Sequence, residues 1–273
     1  VSERNNPLAQ QQPLPFTLLR RYLYPRASAL VMQTEAARMW ALGFMPHEKV
    51  HVIPNPVSMQ QESLKQTIMA CSTGQIIPGK GFDLHGCRHL ITAAGRFTHQ
   101  KGFDLLIEAF SRATRDTNDW CLMILGEGED RSFMQDLISR LSLQDRVFLP
   151  GMIQNLEPVL KKSTFFVLSS RYEGFPNVLL EAMAMSLPVI STDCPFGPSE
   201  IVNNGVDGIL VPNGNVRALA GAMEHLMVHE DARRMLGEHA RVSSERFSLD
   251  TVMHQWEALL ETITSPSRGS SRR

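Results

Sequence analysis

Two basic side chains, Arg96 and Lys101, lie on one short stretch of the sequence, residues 95 to 102 (GRFTHQKG). This stretch directly follows residues 89 to 94, an apolar run that is typical of a buried β-strand. Arginine can bind phosphate oxygens through two parallel N–H bonds, and lysine adds a point charge. The pair therefore predicts a phosphate-binding loop. A solvated basic loop is the alternative when the stretch is considered alone.

A second stretch, residues 170 to 181 (SRYEGFPNVLLE), follows another apolar run and opens a predicted helix near Asn177. The first turn of a helix leaves backbone N–H groups free and carries the positive end of the helix dipole. We therefore expect the amides of Asn177, Val178 and Leu179 to form an anion site. Gly174 has no Cβ and would let a ligand approach the backbone.

Two carboxylates lie on the same stretch, Glu173 before the predicted helix and Glu181 one turn inside it. Glycosidase carboxylate pairs lie roughly 5 to 9.5 Å apart. Eight helical residues, at a rise of about 1.5 Å each, would separate these two by up to ~12 Å. We therefore expect the two glutamates to contact different parts of one ligand, since carboxylates commonly accept hydrogen bonds from sugar hydroxyls. For Glu181 alone, an ordinary charge on a helix surface is the alternative.

From residue 88 onward, short apolar runs alternate with amphipathic helical patterns, which is typical of βα units on a parallel sheet. We expect a Rossmann-like, doubly wound α/β fold, in which ligands bind beyond the carboxyl ends of the strands. The predicted strands are 89–94, 121–125, 147–149, 165–169, 188–191 and 208–211. The predicted helices are 102–114, 131–141, 177–186, 215–228, 231–246 and 250–263.

The first part of the chain repeats this alternation on a smaller scale and predicts the last βα units of a preceding domain. Its predicted elements are helix 17–23, strand 28–32, helix 34–41 and strand 50–53. Residues 61–87 have weak periodicity and are interpreted as an interdomain linker, and residues 265–273 as a disordered tail.

Composition and charge exclude several classes of protein. The 27 Lys and Arg residues against 28 Asp and Glu residues leave a net charge of −1, so no nucleic-acid partner is expected. No apolar stretch approaches the roughly 20 residues of a membrane-spanning helix. The four cysteines lie far apart without a C-x-x-C spacing, which favours a reducing compartment. The chain begins with Val1 and lacks a signal-peptide pattern, so we expect a fragment of something longer.

Five motifs occur in a fixed order: GRFTHQKGFDLLIEAF, LGEGEDR, VFLPG, SSRYEGFPNVLLEAMAMSLPVISTDCPFGPSEIV and NGVDGILVPNGN. In this order they resemble the retaining glycosyltransferases of family 4, which have the two-domain GT-B fold. The resemblance covers about residues 16 to 263. Its most specific element is the E-x7-E pair, Glu173 and Glu181, inside E-G-F-P-N-x-x-x-E-A-M-A.

The resemblance implies roles for the residues of the two loops. Arg96 and Lys101 would hold the donor diphosphate and stabilise charge on the departing nucleotide. Glu173, with the amides of Gly174 and Phe175, would contact the transferred sugar. These three charged residues are therefore the candidate catalytic residues.

The same resemblance implies which residues bind the nucleotide. Glu181 would bind the ribose, the amides of residues 177–179 would bind phosphate, and the loop that ends at Gly151 would border the nucleobase. No D-x-D occurs in the sequence, so we expect no metal and no cofactor, with Arg96 and Lys101 in place of the metal.

The resemblance also implies a domain organisation. Residues 1–60 would be a remnant of the acceptor-side domain, residues 88–249 the donor-binding domain and residues 250–264 a helix that returns to the first domain. No residues match the Gly-rich loop and the histidine that the family carries in its first domain. Most of the acceptor half is therefore expected to be absent from this chain.

The implied function is transfer of a hexose or N-acetylhexosamine from a nucleotide diphosphate sugar to a glycan or lipid-linked acceptor in surface polysaccharide synthesis. The segments SERNNP and DCPFGPSE resemble those of family members that use UDP-sugars, which implies a UDP-sugar donor. A cytoplasmic enzyme is expected. Scattered arginines could contact anionic lipid at the inner face of the cell membrane, but a solvated surface is the favoured alternative. The alternatives are a non-catalytic nucleotide-sugar-binding half that needs a partner and a GT-B sugar-nucleotide epimerase.

Overall fold

The structure is a computed structural model that describes residues 1–4, 14–57 and 86–265. Its first part consists of α1 (Leu14–Leu23), β1 (Leu30–Met32), α2 (Glu35–Ala41) and β2 (Val50–Val52). β1 and β2 pair in parallel, with Leu30 opposite Val50. Residues 1–3 extend this small sheet on the other side of β1, because Ser2 bridges in parallel to Val31.

The second part is built on a sheet in which all neighbouring strands are parallel, in the order β5-β4-β3-β6-β7-β8. These strands are β3 (His89–Ala94), β4 (Trp120–Leu125), β5 (Val147–Gly151), β6 (Phe165–Leu168), β7 (Val189–Asp193) and β8 (Ile209–Pro212). The central strands β3, β4, β6 and β7 are almost entirely buried. Burial on both faces explains why these strands are continuously apolar instead of alternating.

Helices cover both faces of this sheet, which confirms the predicted doubly wound fold. They are α3 (Phe103–Ala113), α4 (Arg131–Arg140), α5 (Glu157–Lys162), α6 (Asn177–Ala184), α7 (Pro198–Ile201), α8 (Val216–Val228), α9 (Glu230–Ser244) and α10 (Leu249–Thr264). One buried cluster joins α3, α4 and α8 to the sheet, and a second joins α5, α6 and α7 to it. The sequence analysis missed α5 and α7.

Helix α10 connects the second part to the first. Its side chains Val252 and Leu259 pack with Ala29, Val31 and Ile53 of the small sheet. The helix begins after Ser248, whose hydroxyl accepts a hydrogen bond from the Thr251 amide. The predicted linker lies almost wholly outside the described residues, and so does the predicted tail.

Two cysteines that are 34 residues apart form a disulfide, Cys87 with Cys121, with a Cα–Cα distance of 5.6 Å. The parallel register brings them together, because Leu90 at the start of β3 lies opposite Cys121. The expectation of a reducing compartment depended on cysteines that are far apart in the sequence, so this pair removes its support.

None of the helices within residues 1–4, 14–57 and 86–265 combines the length and apolar character that crossing a bilayer requires.

Candidate functional site

The loops after β3 and β6 meet at the centre of the large sheet. β3 and β6 are neighbours, but the chain leaves them in opposite directions, toward β4 and β5 on one side and toward β7 and β8 on the other. In open parallel sheets a ligand crevice forms outside the carboxyl ends of such a pair. A cavity of about 500 Å³ lies here, and both loops line it. Its lining includes Arg4, Arg96, Lys101, Glu173, Gly174, Phe175, Asn177 and Val178.

An ion pair crosses this cavity. Lys101 Nζ lies 2.6 Å from Glu173 Oε1, and the side chains are 15% and 6% exposed. The Ser170 hydroxyl donates to the same carboxylate oxygen at 2.6 Å. A buried carboxylate needs such partners, and these two bonds fix the position of Glu173.

The charge of Glu173 also acts on a nearby cysteine. Burial and this charge raise the pKa of the Cys194 thiol to about 12, so the thiol stays protonated at neutral pH.

The basic loop is held close to the glutamate loop by its backbone. Lys101 ends a short 3₁₀ turn and is followed by Gly102 in the left-handed conformation, with φ of 61°. A Cβ on Gly102 would lie 2.2 Å from the Ser169 carbonyl oxygen, so any other residue would push the two loops apart. The Ser169 hydroxyl donates to the Lys101 carbonyl at 2.9 Å. Arg96 is exposed on the cavity wall.

A second ion pair, which the sequence analysis missed, locks the same two loops. The Arg171 guanidinium donates to both oxygens of Asp104, at 2.8 and 2.6 Å, and also to the His99 carbonyl at 2.8 Å. Burial raises the pKa of Asp104, but the bonds and charge of Arg171 outweigh it and hold that pKa below its usual value. Both residues lie inside the quoted motifs. Opposite charges on two loops at one sheet edge could therefore have predicted this ion pair from the sequence.

Glu181 lines a neighbouring cavity of about 410 Å³. The two cavities share Leu156 and Asn177, so Glu181 lies beside the space that Arg96 lines and not within it. Burial raises the pKa of Glu181, and no other described residue pairs with its carboxylate. An unpaired, half-buried carboxylate that faces a cavity can accept hydrogen bonds from a ligand.

The amides at the start of α6 are only partly available. The Asn177 amide donates to the Phe175 carbonyl and the Leu179 amide to the Pro176 carbonyl, both at 3.0 Å. Among the described residues, only the Val178 amide of the predicted three donates to no backbone carbonyl. The side chain of Leu179 is fully buried in the core.

The predicted nucleobase loop, Leu149 to Gly151, forms the end of β5 and does not itself line the second cavity. Gly151 is buried at the end of β5, and its carbonyl accepts from the Gly126 amide at 3.1 Å. The residues that follow Gly151 line the cavity from Ile153 onward.

The first part of the chain also contributes to the site, through residues that the sequence analysis did not name. Asn55 Nδ2 donates to Asn177 Oδ1 at 3.0 Å, and the side chain of Gln33 donates to Asn55 in turn. Pro56 and Val57 line the second cavity, and Arg4 lines the first. The site therefore lies between the small sheet and the large sheet.

The described part of the chain contains no group of three or more His, Cys, Asp or Glu side chains that could hold a metal ion. Metal independence stays a prediction.

Residues 80–243 match the family model described as glycosyl transferases group 1. The chain belongs to this family. An exopolysaccharide phosphotransferase of Streptomyces coelicolor is 39% identical over 171 residues, which are 62% of this chain and 18% of that protein. An uncharacterized glycosyltransferase of Methanocaldococcus jannaschii is 33% identical over 205 residues, which are 73% of this chain and 49% of that protein. The chain therefore spans less than half the length of these two relatives.

Among solved structures, HepE of Anabaena in complex with UDP superposes with a TM-score of 0.80 at 18% sequence identity. The match covers 96% of this chain and 71% of HepE. This likeness confirms the GT-B fold that the group 1 motifs imply.

Proposed function

We propose that this group 1 chain binds a UDP-sugar and provides the donor side of a retaining glycosyltransferase. The acceptor is a glycan or a lipid-linked glycan, and the transferred group is a hexose or N-acetylhexosamine. The observation that carries the proposal is one cavity in which Arg96, Lys101 and Glu173 meet, next to a second cavity that holds Glu181. The UDP bound to HepE, a protein of the same fold, supports the choice of base.

The donor diphosphate lies against Arg96 and Lys101 in this proposal. When the sugar leaves, negative charge develops on the phosphate oxygen, and positive charge already in place lowers the barrier. Lys101 starts bonded to Glu173. The donor therefore draws Lys101 toward phosphate and leaves the Glu173 carboxylate to accept hydrogen bonds from the sugar hydroxyls.

The nucleoside lies in the second cavity. Glu181 accepts from the ribose hydroxyls, the Val178 amide donates to phosphate, and the loop after Gly151 borders the base. No metal is needed in this arrangement, because Arg96 and Lys101 place positive charge beside the diphosphate.

Thermal unfolding with UDP, GDP and ADP tests the donor assignment. A ligand that binds only the folded state stabilises it by about 2.7 kcal/mol at a hundred times its Kd. We expect UDP to raise the unfolding midpoint most. Glu181→Gln should lose most of this shift, whereas Glu224→Gln, a matched change on the exposed face of α8, should keep it. If none of the three nucleotides shifts the midpoint, the donor assignment is wrong.

A non-catalytic half that assists a partner chain is the second candidate, since the chain spans less than half of the relatives named above. Both candidates bind UDP, so product analysis separates them. Transfer to an added acceptor by this chain alone supports the enzyme. Transfer that needs a second polypeptide supports the assisting half, and an epimerised sugar with free UDP and no acceptor indicates an epimerase.

A further inference from the structure

The first cavity, which the loops after β3 and β6 line, has one charged residue from the first part of the chain, Arg4. This residue directly follows the short strand that residues 1–3 form beside β1. The Glu3 amide donates to the Val31 carbonyl at 3.0 Å, and the Val31 amide donates to the Val1 carbonyl at 2.8 Å. Since this strand is parallel to β1, Arg4 emerges at the carboxyl edge of the small sheet and faces the loops after β3 and β6.

The direction of the Arg4 side chain follows from that of its neighbour. Glu3 accepts a hydrogen bond from the Tyr24 hydroxyl at 2.9 Å and lies 3.4 Å from the Arg20 guanidinium, on the side of α1. Successive side chains of an extended strand point to opposite faces. With Glu3 fixed toward α1, Arg4 is directed to the other face, where the cavity lies.

The charges around the cavity favour the binding of an anion. Its four charged side chains are Arg4, Arg96, Lys101 and Glu173. Lys101 and Glu173 neutralise each other, and neither arginine forms an ion pair with another described residue. The arginines leave an excess of two positive charges, one on each side of the crevice. A nucleoside diphosphate sugar carries two negative charges on its diphosphate, which matches this excess.

We propose that Arg4, which lies in the segment SERNNP and outside the five ordered motifs, binds the donor diphosphate from the side opposite Arg96. The inference rests on the proposed function, because it takes the donor as the anion. The Arg4 guanidinium donates two N–H bonds to phosphate oxygens. As the bond to the sugar breaks, the leaving diphosphate gains negative charge, so Arg4 stabilises the transition state more than the bound donor.

Calorimetry in the full chain tests this with UDP, which carries phosphate, and uridine, which does not. Arg4→Gln should weaken UDP binding by at least about tenfold, since hydrogen bonds to a charged group are lost, and leave uridine binding within about twofold. Arg4→Lys should recover part of the UDP affinity. Arg112→Gln, which removes an exposed arginine on α3, controls for the change in net charge.

Glu181→Gln distinguishes a wrong role for Arg4 from a wrong donor site, because it should weaken uridine and UDP binding alike. If Glu181→Gln weakens both ligands while Arg4→Gln binds UDP as Arg112→Gln does, the donor site stands and the role of Arg4 is overturned. A raised KM for a lipid-diphosphate acceptor with unchanged UDP affinity also overturns it, because the phosphate that Arg4 contacts would then belong to the acceptor. If no variant binds UDP or uridine, the proposed function itself fails.

Discussion

Glu181 shows how burial acts on a single carboxylate. It is half-buried beside the second cavity, and burial raises its pKa because no cation among the described residues compensates for the lost hydration. The folded protein therefore takes up a proton on Glu181 at a higher pH than the unfolded chain does. The resulting destabilisation is fully present above the raised pKa and is relieved as the pH falls toward the ordinary value. The ionised carboxylate destabilises the free protein because it lacks hydrogen-bond donors within the described part of the chain. A ligand that supplies hydroxyl donors would therefore bind to it favourably.

The affinity for a UDP-sugar should consequently fall as the pH drops through the raised pKa of Glu181, because the protonated acid accepts less well from ribose hydroxyls. UDP-glucose suits this measurement, since neither of its phosphates titrates near that range. Calorimetry from about pH 8 to about pH 5 should show the decline in the unmodified chain and little of it in Glu181→Gln. An equal decline in both proteins would contradict the assignment of Glu181.

The loops after β3 and β6 act as one element because three kinds of contact join them. Gly102 permits a close backbone approach, Arg171 binds Asp104 with two bonds, and the Arg171 amide donates to the Gln100 carbonyl at 2.8 Å. The loop after β3, which carries Lys101, and the loop after β6, which carries Glu173, are therefore held together, and Lys101 stays within reach of Glu173. A site whose two charged groups come from separate strands needs such a connection to be preorganised.

Breaking the ion pair with Asp104→Asn should destabilise the protein by about 1–3 kcal/mol, because Arg171 is left partly buried without its counter-charge. Turnover should fall as well, since Lys101 and Glu173 lose their fixed separation. Urea unfolding and kcat measure the two effects, and Asp116→Asn, an exposed carboxylate beyond α3, is the control. A double-mutant cycle with Arg171→Gln should give a coupling free energy in the range of 0.5–3 kcal/mol. Strictly additive effects would show that the two side chains do not act as a pair.

Sequence patterns predicted the elements that are long and buried, and missed what depends on register. β3 has the boundaries that its apolar run predicts, His89–Ala94. Helices α5 and α7 were missed because they span only six and four residues, too short to display a helical period. The partners Arg171 and Asp104 are 67 residues apart, so only the adjacency of β3 and β6 reveals them.

The contribution of the small sheet to the site was unpredictable for a related reason. Arg4 and Asn55 reach the crevice because strands of two different sheets end at the same place. A motif read along one stretch of chain cannot show that arrangement. The roles of Arg96, Lys101, Glu173 and Glu181 stay predictions, although the structure brings the first three to one cavity and the fourth to the next.

On the scale of the whole molecule, a side chain from the part of the chain with the large sheet caps a helix in the part with the small sheet. The Glu200 carboxylate in α7 accepts from the amides of Glu35 and Ala36, at 2.6 and 3.0 Å. These amides belong to the first turn of α2, where a carboxylate also complements the helix dipole. Thr34 caps the Ala37 amide within α2 itself. Glu200 therefore ties the small sheet to the large one through a helix end.

Glu200→Ala should destabilise α2 by about 0.5–2 kcal/mol, the usual effect of losing a cap. Hydrogen exchange of the Glu35 and Ala36 amides should accelerate, while the Ala37 amide, which keeps its bond to Thr34, should change less. Glu238→Ala, on the surface of α9, provides the matched control. Unchanged exchange at all three amides would show that this contact does not hold the two parts together in solution.

The hydrogen bond from Asn55 to Asn177 carries a thermodynamic consequence. Asn177 lines both cavities, and Asn55 belongs to the segment that leaves the small sheet. A donor that immobilises Asn177 also restrains Asn55. By linkage, a second ligand that restrains Asn55 raises donor affinity by the same factor by which the donor raises the affinity for that ligand. An acceptor that contacts Asn55 would therefore bind cooperatively with the donor through this single amide pair.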